Sequence, residues 1–363
     1  MITVKKEVLT DLGCRVFEAV GVPKDEAAWV TDCLVLSNLK GVDSHGVQQI
    51  PGYVKNVQKG QITPGAQMKI VRETPAVTII DGFGGFGYSI AKQAMEVTIK
   101  KARAIGVAFS GLHRLGHIGR VGRWPEMALE QDMIGVASQP GGVFVAPWGG
   151  IERKLPINPI SVAIPTGHGS PFVIDFSMGP IAGGRISILQ RRGMKLPPGW
   201  VIDDEGKPTQ DPSFGVSKGA QLPLGQEGLG YKGYALSMVL SVLTGPLIAM
   251  YDFVKHRPSG VFLGVLDIAA FTPLDEFKKS MDDMVADIKA SKLAKGFKGI
   301  LIPGEPEFIE HQRRLKEGIS LDDEIWQALS KTAESVGVDT SMYTVEAGGV
   351  AVHPSYTLKD RYK

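Results

Sequence analysis

Residues 43–53 read DSHGVQQIPGY and bring a serine hydroxyl, an imidazole and a phenol into one short stretch. Histidine ordinarily titrates near 6.5, so it takes or gives a proton at neutral pH. Ser44 is placed to hydrogen-bond that ring or a substrate oxygen, and Tyr53 offers a second hydroxyl. Such a set suits proton transfer to a carbonyl or imine. The plainer alternatives are Ser44 capping a helix, His45 satisfied in a core or cap, and Tyr53 packing as an aromatic.

Other chemical patterns are weaker. His113 and His117 have the i, i+4 spacing of a zinc pair on a helix, but no acid or cysteine completes the set, so no metal is expected. Gly82, Gly84 and Gly87 satisfy G-x-G-x-x-G between a strand-like and a helix-like run. The next strand, GVAFSGLHR, lacks the carboxylate a Rossmann site uses to hold ribose hydroxyls, which favours a glycine-rich turn. Tyr251 and Lys255 match Tyr-x-x-x-Lys by chance spacing, far from any confirmed nucleotide loop. Cys14 and Cys33 sit in helix-like stretches and read as buried reduced thiols.

The elements that must position these groups are visible from periodicity. Residues 3–20 and 24–40 repeat apolar side chains at helical spacing, with Pro23 between them, so the S-H-G motif falls at a helix end or in the loop beyond it. Pro51 marks a break or the next helix start. AVTIID reads as a strand, GFGGFG as a loop and YSIAKQAMEVTIKKARA as a helix. GVAFSG, MIGVASQ, ISVAIPT and PFVIDFS continue as strands, with WPEMALEQD helical, which makes the class α/β or α+β. Residues 190–228 form one long ordered excursion. A helix over 231–250, a strand GVFLGVLDI, helices FKKSMDDMVADIKASK and LDDEIWQALSKTAESVG, and a tail of little periodicity from Val338 complete the chain.

A chain of 363 residues with 43% hydrophobic and 21% charged side chains has room for two or three packed units. The net charge of +2, with no block of like charge, argues against nucleic acid or an anionic membrane as partner. No secretory signal is evident, and the best apolar run is interrupted by Gly245-Pro246, so a cytoplasmic protein is expected.

Taken in order, DSHGVQQIPGY, HIGRVGRWPE (117–126), VAPWGG (145–150), NP (158–159), VIDFSMG (173–179), GW-IDDEGKPTQDP (199–212), LPLG (222–225), YKGYALSMV (231–239) and PGEPE (303–307) resemble the malate/L-lactate dehydrogenase family, the group with ureidoglycolate dehydrogenase and diketogulonate reductase. The resemblance implies an α/β fold with a non-Rossmann, mixed-sheet NAD(P)-binding domain at 118–307. A helical substrate and dimerisation domain would combine 1–117 with 308–363. It also implies a homodimer and hydride exchange between NAD or NADP and a 2-oxo or 2-hydroxy acid.

By the same resemblance His45 and His117 are the acid/base candidates, with His45 slightly ahead, Ser44 is their catalytic neighbour, and Tyr53 faces the substrate. Asp175, Ser177, Met178, Gly179, Lys232, Gly233, Gly304 and Glu305 would meet the cofactor, as would Gln139, which with Ser138 replaces the family's Thr-Asn. Pro156-Ile157-Asn158-Pro159 likewise stands where the family has G-T-N-P. Gln49 occupies a position where the family places an arginine that would grip a carboxylate bidentately. Arg120 and Arg123 are candidates to compensate. Without compensation, a cyclic imine or non-acid carbonyl becomes a rival substrate, and a cofactor-binding protein without turnover a rival function.

Overall fold

The computed structural model describes residues 2–182, 186, 189–190, 193–248, 260–346 and 349–352. Strand β1 (Ile2–Val4) leads into helices α1 (Lys6–Ala19), α2 (Lys24–Leu39) and α3 (Ile50–Gln58). Next come β2 (Lys69–Glu73), β3 (Val77–Gly85), α4 (Gly87–Ile105), β4 (Val107–Leu115), α5 (Arg123–Leu129) and β5 (Met133–Ser138). The middle of the chain supplies β6 (Val143–Val145), β7 (Leu155–Pro156), β8 (Ile160–Ile164), β9 (Phe172–Phe176), β10 (Val201–Ile202), β11 (Pro208–Thr209), α6 (Pro212–Val216), β12 (Ala220–Gln221) and α7 (Gln226–Leu243). It ends with β13 (Val261–Asp267), α8 (Leu274–Lys289), α9 (Glu305–Glu317), β14 (Ile319–Leu321), α10 (Asp323–Ser335), β15 (Tyr343–Glu346) and β16 (Gly349–Val352).

The central sheet runs β2-β3-β4-β13-β5-β8-β9. Only β3 and β4 are parallel; every other neighbouring pair is antiparallel. A Rossmann sheet is parallel, so this mixed order is a non-Rossmann α/β architecture, as expected. The α4 crossover packs on β4 and β13 and ends at Gly106, whose φ of 91° gives the left-handed cap that glycine adopts most cheaply. Phe17 of α1 meets Phe86, the residue before α4, edge to face at 5.7 Å. Both are fully buried, and burying a side chain of that size contributes roughly 1.5–3 kcal/mol. This contact ties the N-terminal helices to the sheet.

Several expectations need correction. GFGGFG is not a loop: β3 continues to Gly85, shifting register between Asp81 and Gly85 while Phe83 and Gly84 take positive φ, so the segment is a bulged strand end. A β-carbon on Gly87 would stand 2.2 Å from the Gly116 carbonyl oxygen and 2.4 Å from that of His117, so this glycine brings the start of α4 against the chain leaving β4. His113 lies in β4 and His117 in the loop beyond, so they share no helix.

The 190–228 excursion contributes β10, β11 and β12 to a second sheet ordered β11-β10-β12-β6-β7. The unperiodic tail supplies β15 and β16, which join β1 and β14. That sheet joins β1, near the start of the chain, to strands of the tail, and in the central sheet β4 pairs with β13. Helix α9 was not anticipated from the sequence, and none of its residues is fully buried. Tyr251 and Lys255 lie outside the described residues.

Candidate active site

Ser44 and His45 close a 3₁₀ turn over Asp43–His45, and a second such turn follows over Val47–Gln49 before α3 begins. Single 3₁₀ turns hold themselves weakly, so the conformation needs outside support. Asn38, in the last turn of α2, gives it: its Oδ1 accepts from the Val47 N–H at 2.8 Å, and its Nδ2 donates to Asp43 at 2.6 Å. A β-carbon on Gly46 would stand 2.1 to 2.5 Å from the Asn38 amide atoms. The glycine of S-H-G is therefore what lets the backbone close over Asn38. Gln49 Nε2 donates to the Ser44 carbonyl at 2.8 Å, so this amide braces the turn.

Each imidazole is held at Nδ1 by a hydroxyl. Ser44 Oγ is 2.9 Å from His45 Nδ1, and Tyr53 Oη, arriving from α3, is 2.7 Å from His117 Nδ1. The Tyr53 hydroxyl also meets that of Tyr88, from the first turn of α4, at 3.3 Å. Both Nδ1 atoms are engaged, and among the described residues no hydrogen bond takes Nε2 of either ring. The two rings are 5.7 Å apart.

Burial, and then the Arg120 charge, lowers His45 below the ordinary histidine value. Burial, and then His45, lowers His117 to about 4. The His117 ring keeps an exposed face, so water still reaches it; the direction, neutral at physiological pH, is what the chemistry uses. Burial drives the Tyr53 phenol upward, which keeps it a neutral hydroxyl that donates or accepts.

A cavity of about 630 Å³ opens beside His45, within the ~300–1,000 Å³ of small-molecule sites. Its walls include Ser44, Arg120, Gln139, the strand end Asp175–Ser177, and the stretch from Leu301 through Gly304 into the first turn of α9. Of the residues expected to meet a cofactor, Asp175, Ser177, Gly304 and Gln139 line this cavity. Met178 and Gly179 are buried and do not line it; the Met178 N–H is taken by the Ile157 carbonyl at 2.7 Å.

His117, Tyr53 and Gln49 do not line the cavity, and three further cofactor candidates also stand off it. Glu305 is occupied by Lys289 at 2.7 Å and by the Ile302 N–H at 2.9 Å. Lys232 is exposed on α7 with its ammonium over the Tyr231 ring, and Gly233 is packed against the Leu224 backbone.

The arginines proposed to replace a grip at Gln49 are otherwise engaged. Arg120 makes a fork to Glu126, at 3.1 and 2.6 Å, and Lys40 Nζ reaches the same carboxylate at 2.7 Å. Burial alone would raise Glu126, but Arg120 and then Lys40 pull it down to about 2. Arg120 also stands 3.8 Å from Asp175, whose Oδ2 accepts from the Gly122 N–H at 2.8 Å. Burial, only partly countered by Arg120, raises Asp175 to about 6. Arg123 stacks over Trp29 and pairs with Glu130. Lys40 and Tyr88 belong to no chemical pattern along the chain, and Glu126, although it closes the HIGRVGRWPE stretch, carries no role there that its neighbours in sequence reveal.

A sequence model of the malate/L-lactate dehydrogenase family matches residues 4–330. The chain is 35% identical to the malate dehydrogenase of Pyrococcus abyssi, covering 93% of this chain and 96% of that one. Among solved structures it is similar to the sulfolactate dehydrogenase of Methanocaldococcus jannaschii, with a TM-score of 0.84, 33% identity and coverage of 93% and 98%. It is also similar to the delta1-piperideine-2-carboxylate reductase of Pseudomonas syringae, with a TM-score of 0.79, 27% identity and coverage of 92% and 100%.

Proposed function

Because this chain belongs to the malate/L-lactate dehydrogenase family and is an oxidoreductase, we propose that it interconverts a small 2-hydroxy acid and its 2-oxo acid, using NAD or NADP. The observation that carries this reading is the imidazole pair, each ring held at Nδ1 by a hydroxyl, with His45 on the wall of the cavity.

The cavity suits a dinucleotide in size and in chemistry, being a concave, mainly apolar space with a few convergent polar groups. Asp175, Ser177, Gly304 and Gln139 would hold it. When bound, the nicotinamide supplies or accepts the hydride. The rest falls to the protein. Ser44 fixes the His45 ring, and in the oxidative direction a neutral imidazole takes the hydroxyl proton at Nε2. In the reductive direction the imidazolium returns it. Tyr53 and Tyr88 extend His117 into a chain of hydroxyls that reverses its donors when the ring changes tautomer.

We also propose a homodimer in the cytoplasm. Leu229, Val239 and Val242 on α7 are each about half exposed, an apolar face that soluble monomers seldom leave bare. Among the described residues no helix is long and apolar enough to cross a membrane. Sedimentation tests the dimer.

A second reading, reduction of a cyclic imine or a non-acid carbonyl, is favoured by Gln49 and by Arg120 being committed to Glu126. The deciding experiment follows NADH and NADPH consumption against malate-type, lactate-type and sulfonated 2-oxo acids and against cyclic imine carboxylates. Turnover of an oxo acid supports the first reading and turnover of imines alone the second. Tight nucleotide binding with no turnover leaves only a binding protein.

A further inference from the structure

The S-H-G turn has an outside brace that none of the expected motifs contains. Arg314, more than two turns into α9, places Nη1 2.6 Å from Asp43 Oδ1 and Nη2 3.0 Å from Asp43 Oδ2, a planar fork on the residue two before His45. The same Nη1 reaches the Asn38 carbonyl at 2.8 Å, and Nε is held by Glu310. The side chain is 11% exposed, and it closes a contact across 271 positions of sequence. Asn38 grips Asp43 and Val47 from the inner side, so the turn is clamped from two directions. Glu307 and Phe308, in the first turn of the same helix, line the cavity. At 1.5 Å per residue, roughly 10 Å of helix separates that wall from the arginine.

We propose that Arg314 is a positioning residue: through Asp43 it fixes the His45 imidazole in register with the cavity wall built by the start of α9. The inference rests on the proposed role of His45. Bidentate geometry matters here, because a fork fixes the rotation of the carboxylate and hence of the turn, whereas a lysine supplies a point charge only. A misplacement of about 1 Å at a catalytic group is enough to cost about 100-fold.

The test uses the full chain and the variants Arg314→Gln, Arg314→Lys, Asp43→Asn and the double variant Arg314→Gln/Asp43→Asn. In folded Arg314→Gln, kcat should fall about tenfold to a hundredfold while KM for the nucleotide stays within about twofold. Arg314→Lys should recover part of the loss. The double variant should be no worse than the poorer single variant, because both remove one contact. Proton NMR of the His45 ring without nucleotide should show its titration midpoint moving up toward about 6.5 in Arg314→Gln as the ring gains water. Unchanged kcat in folded single variants, additive losses, or an unmoved His45 titration would overturn the proposal. If Arg314→Gln does not fold, Asp43→Asn and Arg314→Lys decide by the same criteria. If the wild type turns over no substrate, the functional reading fails, and the NMR titration still judges the brace.

Discussion

The ring of His117 stands 5.7 Å from that of His45, tilted by 34°, although 72 positions separate them in the chain (117 minus 45). Burial disfavours the proton on both rings, with the Arg120 charge adding to it at His45 and the neighbouring His45 adding to it at His117. Both rings are therefore neutral at physiological pH, ready to receive a proton rather than already carrying one.

That state sets a pH dependence. Oxidation of the hydroxy acid needs a neutral imidazole, so its kcat/KM should hold as pH falls through 6.5 and decline only toward the lowered values. Reduction needs the imidazolium and should rise over the same acid range. An oxidative acid limb centred at or above about 6.5 would contradict the assignment.

The same shift acts on stability. The folded state binds fewer protons at His117 than the unfolded chain between 6.5 and about 4, so its contribution is complete above that window and is lost as pH falls through it. Thermal melts of His117→Gln should be less sensitive to acid across this range than those of the wild type. Parallel melting curves would argue against a neutral His117.

Replacing the acid/base itself should be costly. His45→Gln should lower kcat by about 10²–10⁴, with the nucleotide still bound as judged by fluorescence titration. If His45→Gln and His117→Gln both turn over normally, neither ring is the acid/base.

Tyr53→Phe removes the partner of His117 Nδ1 at 2.7 Å but keeps the aromatic packing against Phe86 and Tyr88. A loss of about 1.5–3 kcal/mol, or roughly tenfold to a hundredfold in kcat, is expected with little change in melting temperature. Tyr88→Phe should have a smaller effect, since it touches the ring only through Tyr53.

Glu126→Gln leaves Arg120 and Lys40 facing each other without their shared carboxylate. Breaking such a buried cluster costs about 3–5 kcal/mol, measurable by urea unfolding. In the wild type this carboxylate's contribution is present above 4.5 and disappears as pH falls toward about 2.

Gln49→Arg should strengthen binding of small 2-oxo acids by adding a cation at the turn. Its KM for the oxo acid, measured beside that of the wild type, reports this directly. An unchanged or higher KM would remove the carboxylate argument and strengthen the imine reading.

Local chemistry was legible along the chain. The helical spacing over α1 and α2 and the alternation of strands and helices follow from neighbours a few positions apart, which a sequence displays directly. The S-H-G motif likewise announced its hydroxyl and imidazole. Helix α9 is polar on average and went unread, and the strand end through GFGGFG was hidden because glycine carries no side chain to alternate.

What the sequence determined by itself, then, was the class of elements, the family and the residue types able to move a proton. Tertiary structure decided which of them meet: Tyr53 with His117, Arg120 and Lys40 on one carboxylate, Arg314 on Asp43. Apart from Arg120 and Glu126, which are six positions apart, those contacts link residues from 64 to 271 positions apart, wherever α2, α3, α9 and the loop after β4 converge. Only the chain's long-range path over a mixed sheet creates that convergence, and no spacing rule within a segment encodes it.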